Sequence, residues 1–247
     1  MSKSTKLCRK TSCPRSNIFC NLLDKIVKRP SLQFLGQWGY HCYEPRIYRS
    51  LAKILRKGNP DFVELLLKKT KDYVQDRSCN LALIWRTFTP VYCPSPLSGI
   101  TPLFYVAQTR QSNIFKILLQ YGILEREKNP INIVLTIVLY PSRVRVMVDR
   151  ELADIHEDAK TCLVLCSRVL SVISVKEIKT QLSLGRRPII SNWFDYIPST
   201  RYKDPCELLH LCRLTIRNQL LTNNVLPDGI FSLLIPARLQ NYLNLEI

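Results

Sequence analysis

The last stretch of the chain, residues 205–247, predicts more helix than so short a segment can bury by itself. Pro205 suits the first turn of a helix, where a missing N–H is tolerated. Leu208, Cys212 and Ile216 follow at intervals of four residues, which places them on one side of that helix. Segments near this length rarely fold alone. We therefore expect residues 205–247 to need a partner surface.

The remainder of this stretch predicts two further short helices. Asn223 and Asn224 supply residues that end the first helix, and a turn is expected at Pro227-Asp228-Gly229. Pro236 can open the last helix, which carries Leu239, Tyr242 and Leu243. Arg213 and Arg217 fall on the side of the first helix opposite the apolar residues.

These residues resemble a SOCS box. Leu208-x-x-x-Cys212-x-x-x-Ile216, with Leu211 beside it, looks like the helix that binds elongin C and elongin B. The resemblance implies that Leu208, Leu211, Cys212 and Ile216 make this contact.

Leu233-Leu234-Ile235-Pro236 is similar to the second half of such a box, which selects the cullin. The resemblance implies cullin-5 contacts at Leu233, Ile235 and Pro236. Leu234 stands where the family pattern has Pro, and Pro would have restricted the backbone before binding. We therefore expect weaker cullin docking. An apolar helical stripe by itself would equally fit a hairpin packed on the rest of the chain, but the matching separations favour the SOCS box.

One unit in the middle of the chain, residues 99–122, resembles an ankyrin repeat. Thr101-Pro102-Leu103-Phe104 follows the repeat's Thr-Pro-Leu-His pattern with Phe104 in place of His. We expect Thr101 to cap a helix that starts at Pro102 and Gly122 to end the next helix in a left-handed turn.

A partial repeat is expected at residues 58–69, because Gly58 to Leu67 resembles an outer ankyrin helix. A basic amphipathic helix, residues 46–56, precedes it instead of the usual inner helix. A single half-repeat cannot bury its apolar face. The sequence therefore indicates a shortened variant with a block absent around Arg56 and Lys57, and it predicts less cooperative unfolding at a lower temperature than in a longer form.

Helical periodicity continues after Gly122, and a degenerate repeat pair is expected there, in part from Leu163, Cys166 and Val169. The aromatic stretch 186–198 is suited to cover the end of the stack.

The net charge of +17 lies wholly in residues 1–204, because acids and bases cancel in the last stretch. A field of this sign favours acidic partners. A second hypothesis is therefore a basic helical scaffold that binds an acidic protein or nucleic acid without degradation; nucleic acid is the less favoured partner.

No catalytic residues, metal site or cofactor are expected. The histidines are His41, His156 and His210, and none lies in a nucleophile or metal motif. The ten cysteines lack paired ligand spacing, and no secretory signal precedes them. They are expected to be reduced and mostly buried, Cys212 included, in an intracellular protein of the cytoplasm, with the nucleus left open. No segment is long enough to span a bilayer.

The prediction is therefore an all-α protein, a degenerate ankyrin-repeat stack with a C-terminal three-helix SOCS box. The expected parts are a basic, aromatic N-terminal region at 1–45, the ankyrin body at 46–204 and the SOCS box at 205–247. Membership of the ankyrin repeat and SOCS box family would imply a non-catalytic adaptor of a RING ubiquitin ligase that binds elongin C, elongin B, cullin-5 with its RING subunit, and an unknown substrate.

Overall fold

The structure is a computed structural model and describes residues 55, 58–75, 101–139 and 152–246. The predictions for residues 1–45, for the helix at 46–56 and for a junction at Arg56 and Lys57 lie outside these residues, apart from Leu55, which is buried.

The described residues are helical, which confirms the predicted fold class. The α-helices are α1 (Pro60–Gln75), α2 (Pro102–Thr109), α3 (Ser112–Gln120), α4 (Ile131–Val138), α5 (Leu152–Val169), α6 (Val175–Ser183), α7 (Leu208–Thr222), α8 (Asp228–Phe231) and α9 (Ala237–Leu243). Two 3-10 helices, Trp193–Tyr196 and Ser199–Arg201, lie between α6 and α7. Within these ranges the only β pairing is an isolated bridge between Leu139 and Pro188.

The start of α2 follows the sequence prediction. Thr101 has an extended backbone, and its hydroxyl accepts a hydrogen bond from the N–H of Phe104 at 3.1 Å. Pro102 occupies the first helical position. Both features satisfy or remove N–H groups that have no partner inside the helix.

Gly122 ends α3 as predicted. Its φ is +74°, and its N–H donates to the carbonyl of Leu119 at 2.9 Å. The N–H of Ile123 donates to the carbonyl of Leu118 at 3.1 Å. These two hydrogen bonds form a Schellman motif, in which a left-handed residue closes the last turn.

The body is a stack of helix pairs. Helix α2 packs on α3 and α4 packs on α5, while α2 also contacts α4 and α3 contacts α5. Helix α1 packs against α3. It starts with a side-chain cap, since Asn59 Oδ1 accepts from the N–H of Phe62 at 3.2 Å. Helices α4 and α5 lie where the sequence predicted a degenerate repeat pair, and Cys162, Leu163 and Cys166 are in the buried core.

Arg110 joins the two helix pairs. It is fully buried with φ +52°, and its guanidinium donates to the carbonyls of Thr136, Ile137 and Leu139 at the end of α4. The last carbonyls of a helix have no partner within it and carry partial negative charge. A cation with several donors satisfies them at once.

The aromatic stretch covers the stack as expected. Trp193 is buried, and its 3-10 helix contacts α5. Phe194 packs edge-on to Trp193 and at 5.0 Å from Tyr202, measured between ring centroids. Among the described helices, none combines the length and apolar character that crossing a bilayer requires.

We predict that Gly122→Ala destabilises the chain more than Gly185→Ala. Both glycines have positive φ, so a Cβ costs about 1 kcal/mol at either position. At Gly122 the added Cβ would also collide with Leu221 and lie 3.3 Å from a methyl group of Leu226, whereas at Gly185 nothing lies within 4 Å. Urea unfolding of the two variants measures the difference. Equal losses would show that Gly122 is not in close contact with α7.

Candidate partner-binding surface of the C-terminal helices

Helix α7 begins later than the sequence predicted. Glu207 is its N-cap, with φ −63° and ψ 140°, and Leu208 is its first helical residue. Pro205 therefore precedes the helix and is not in its first turn, which corrects the prediction. The cause is a contact that the local sequence does not show: Arg201 and Thr200 donate hydrogen bonds to the Glu207 carboxylate at 2.7 and 2.9 Å, which holds the chain extended there.

One face of α7 is apolar and exposed. Leu208 is 77% exposed, and Leu211, Cys212 and Ile216 are also exposed. Leu209, which is not among the predicted elongin-binding residues, is 55% exposed beside them. An amphipathic helix in a globular protein normally turns such a face to the core. Here the face is available to a partner.

The opposite face of α7 is charged and buried. His210, Arg213, Arg217 and Leu221 are the buried residues of the helix. Their spacing of three or four residues puts them on one side, and this side packs on the body through contacts with Leu119, Arg168 and Leu170. The sequence placed the arginines opposite the apolar residues correctly, but it gave no sign that theirs would be the buried face.

Arg217 is the centre of this packing. It is fully buried, and its Nε and Nη2 donate to Glu125 Oε1 at 2.8 and 2.5 Å. Its guanidinium also donates to the carbonyls of Leu119 and Leu243 at 2.6 and 3.0 Å. Arg217 thus connects α7 to the end of α3, to the loop after it and to the end of α9. Because a buried charge is costly unless paired and hydrogen-bonded, these contacts define how α7 lies on the body.

Arg213 and His210 extend the contact toward the start of α7. Arg213 lies over the ring of Tyr242, 3.3 Å from the ring centroid, and donates to the carbonyl of Arg168 at 3.2 Å. Burial lowers the pKa of Arg213 to about 10. This value is still well above neutral pH, so Arg213 remains charged there. His210 Nε2 donates to the carbonyl of Leu170 at 3.2 Å, so this nitrogen carries the hydrogen of a neutral imidazole.

The pKa of His210 is lowered to about 4 by burial and by the neighbouring charge of Arg201. Hydrogen bonds from Arg201 and Thr200 lower the pKa of the exposed Glu207 to about 2. Neutral His210 and ionised Glu207 are therefore the forms in which the start of α7 is seated on the body.

The end of α7 is fixed by the body in return. Arg126 Nη2 donates to the carbonyl of Leu221 at 2.8 Å and to Asn224 Oδ1 at 2.9 Å. Asn224 has φ +56°, in agreement with the helix stop predicted there. Cations near the final carbonyls of a helix are favourable.

The tail of the chain also packs into the body. Leu245 is fully buried in the main core, and the carbonyl of Asn244 accepts a hydrogen bond from Gln120 at 3.0 Å. Glu246 forms an ion pair with Lys116 at 2.5 Å. The C-terminal helices are thus attached to α3 at both α7 and the tail.

The second half of the C-terminal segment has a small core of its own, made of Leu221, Leu226, Ile230 and Leu243. Leu233 and Ile235, two of the predicted cullin-binding residues, are partly buried against it. Pro236, the third, is the exposed N-cap of α9. Leu234 between them is fully exposed.

Two further apolar residues of this half, Phe231 and Leu239, are 53% and 41% exposed. Phe231 and Leu239 were not among the predicted partner-binding residues, and their only signal in the sequence was their apolar character. Leu234 stood out in the sequence only as the residue that replaces a proline of the cullin-selecting pattern.

The described cysteines divide into two environments. Cys162 and Cys166 are buried thiols that form no disulfide, and burial raises the pKa of Cys166. Cys206 is half-buried and Cys212 is exposed, which corrects the expectation that Cys212 is a buried thiol. Within the described ranges no three His, Cys, Asp or Glu residues lie close enough to hold a metal ion.

Comparison with known proteins gives one family for this chain. The SOCS box family model matches residues 204–244. The chain is 83% identical over 295 aligned positions to the ankyrin repeat and SOCS box protein 17 of Macaca fascicularis and to that of Homo sapiens, and 74% identical over 294 positions to that of Mus musculus. Each alignment covers 100% of both chains. No solved structure matches.

This chain is shorter than those relatives. It has 247 residues, so at least 48 of the 295 aligned positions have no residue in it. That number exceeds the length of about 33 residues of one ankyrin repeat.

We predict that Arg217→Met lowers the free energy of unfolding by about 3–5 kcal/mol, because it leaves Glu125 buried without its counter-ion. Arg238→Met, at an exposed position of α9, is the matched control. The double variant Arg217→Met, Glu125→Gln should recover part of the loss. Chemical denaturation measures all three. A loss at Arg217 no larger than at Arg238 would contradict the assignment of Arg217 to the centre of the packing.

We predict that His210 makes the stability of the chain pH-dependent between pH 6.5 and about 4. In this window the unfolded histidine binds a proton and the folded one does not, so stability falls as pH falls, by about 2–3 kcal/mol in total. The carboxylate of Glu207 affects stability only at lower pH, between its ordinary pKa of 4.5 and its folded pKa of about 2. In His210→Gln, urea unfolding between pH 6.5 and 4.5 should show a smaller slope. An unchanged slope would mean that His210 is not held neutral.

Proposed function

The chain belongs to the ankyrin repeat and SOCS box protein family, and we propose from this membership that it is the substrate-recognition adaptor of an elongin–cullin RING ubiquitin ligase. In this role it binds elongin C with elongin B and cullin-5 with its RING subunit, and it targets a bound protein for ubiquitination and degradation. The chain itself is non-catalytic and acts inside the cell. The proposed parts remain residues 1–45, an ankyrin body at 46–204 and a SOCS box at 205–247.

The observation that carries this proposal is the exposed apolar face of α7. Leu208, Leu211, Cys212 and Ile216 are all exposed, while the charged face of the same helix is used by the body. Leaving a leucine at 77% exposure forfeits about 1.5–3 kcal/mol of burial relative to a core position. A groove that accepts this face would recover that energy, and it could do so without displacing α7 from the body.

The two faces give the adaptor its geometry. Because His210, Arg213 and Arg217 hold α7 on the ankyrin body, a protein bound to the opposite face takes a fixed position relative to that body. A substrate held by the body is then kept near the ubiquitin carrier on the RING subunit, which raises its effective concentration there.

The proposed cullin contact is centred on Leu233, Ile235 and Pro236. Leu233 and Ile235 pack partly on the small core, which fixes the position of this segment. Pro236 is exposed. The exposed Leu234, which replaces a proline of the family pattern, then lies in the contact without the restricted backbone that proline supplies. We expect this substitution to weaken cullin-5 binding and to leave elongin binding unaffected.

We predict that the full chain co-purifies with elongin B and elongin C, and that Leu208→Glu, Cys212→Glu loses this complex by at least about 100-fold. Buried anchors of an interface cost about 2 kcal/mol or more each when replaced. Both side chains are exposed in the free chain, so the unfolding free energy should change by less than about 0.5 kcal/mol. Val172→Glu, at a position 71% exposed outside α7, is the control and should retain elongin.

Two results would overturn the proposal. If the wild-type chain failed to bind elongins, the C-terminal helices would be a cap of the body, and the basic scaffold would become the leading function. If the double variant still bound at the wild-type level, the exposed face of α7 would not be the elongin site.

A further inference from the structure

Helix α6 and the segments near it carry exposed cations. Lys176 and Lys179 lie on α6, and Arg186 and Arg187 follow soon after its last residue, Ser183. Lys203 is exposed next to Tyr202. We call these five residues the α6 patch.

Several described cations outside the α6 patch are already paired with carboxylates. Arg201 and Arg217 are paired with carboxylates, and so are Lys116 and Lys160, which line a groove of about 400 Å³ between α3 and α5. By contrast, no residue of the α6 patch forms an ion pair within the residues that the structure describes. Their charge is therefore available to another molecule.

Ring contacts connect α6 with the stretch that contains Lys203, and Arg186 and Arg187 follow α6 closely in the chain. Lys176 and Lys179 are three residues apart on a helix, which puts them on the same side. Lys179 Nζ lies 5.0 Å from the ring centroid of Phe194, and Phe194 packs on Tyr202, the neighbour of Lys203. Gly185, with φ +83°, turns the chain directly before Arg186.

The patch also has an apolar component. Val172 precedes α6 and Leu184 follows it, and each is 71% exposed. Glu177, Asp195 and Asp204 lie in the same stretch, and none of these acids pairs with a cation of the patch. Five exposed cations against three acids leave a positive surface with an exposed apolar side chain at either end of the helix.

We propose that the α6 patch binds an acidic protein segment that carries at least one large apolar side chain. The cations pair with its carboxylates, and Leu184 or Val172 contacts the apolar side chain. If the chain is a ubiquitin-ligase adaptor, as proposed above, the acidic segment belongs to its substrate; the binding itself does not depend on that function.

The aromatic residues nearby favour a protein over nucleic acid. Binding of single strands relies on rings that are free to stack on bases. Trp193 is buried, and Phe194 is occupied by Trp193, Tyr202 and Lys179. A phosphate backbone would also leave Leu184 and Val172 without an apolar contact.

The test measures binding of a short labelled peptide of Glu and Asp with one central Leu to the full chain. The same peptide with Gln and Asn in place of the acids is the control ligand. We expect Lys176→Glu, Lys179→Glu and, separately, Arg186→Glu, Arg187→Glu to weaken binding about tenfold, and binding to fall as salt rises. Leu184→Ser should weaken it by a smaller factor.

A matched pair of variants controls for net charge. Lys68→Glu, Lys128→Glu changes the net charge by the same amount at exposed positions of α1 and of the loop after α3, and it should bind like the wild type. A zero-length carbodiimide cross-linker should join the peptide carboxylates to Lys176, Lys179 or Lys203. Elongin binding is measured for every variant. If it is retained, the variant is folded, and a loss of peptide binding is then distinct from a failure of the adaptor function.

Three outcomes would overturn the proposal. One is equal loss in the Lys68, Lys128 pair, which would make the effect one of net charge. Another is cross-linking confined to other lysines of the chain. The third is displacement of the peptide by duplex DNA or by vesicles of anionic lipid at concentrations below that of unlabelled peptide, which would assign the patch to phosphate groups.

Discussion

The buried ion pair between Arg217 and Glu125 decides how the C-terminal helices can be used. Arg217 is fully buried, and it donates to Glu125 and to the carbonyls of Leu119 and Leu243. All these hydrogen bonds form together in only one position of the guanidinium. The loss of a single partner would leave a buried charge or carbonyl without a hydrogen bond. The charged face of α7 must therefore remain on the body. Its apolar face has no place in the core and is left for a partner.

The same use of arginine recurs through the described chain. Arg110 satisfies the final carbonyls of α4, and Arg126 satisfies a carbonyl near the end of α7. Each of these guanidiniums joins one helix to the next layer. Every helix leaves its last four carbonyls without a partner inside the helix, and in a short helix these are a large share of all its carbonyls. A stack of short helices therefore needs hydrogen-bond donors that reach from one layer to the next. The arginines supply these donors, while the cations of the α6 patch remain free of ion pairs within the described residues.

Helix caps and turns were predictable from the sequence, whereas the contacts between residues distant in the chain were not. The Thr101 cap, the left-handed Gly122 and the stop at Asn223 and Asn224 depend on a few neighbouring residues, and all are present. The spacing in α7 also separated its apolar and charged faces correctly. What it could not show is which face is buried, because the partners of Arg217 lie 92 and 98 residues away in the chain. The same reason explains why Cys212 was expected to be buried. Helix propensity predicts where a helix forms, but burial depends on partners that are distant in sequence.

Alkylation of Cys212 shows whether the apolar face of α7 is open to a partner. We predict that the Cys212 thiol of the folded chain reacts with a maleimide, that Cys162 and Cys166 do not, and that added elongin B and elongin C protect Cys212. Mass spectrometry of the labelled peptides gives all three values in one experiment. If Cys212 were as unreactive as Cys166 before any partner is added, the apolar face of α7 would be buried on the body. The two faces of α7 would then not serve two different partners.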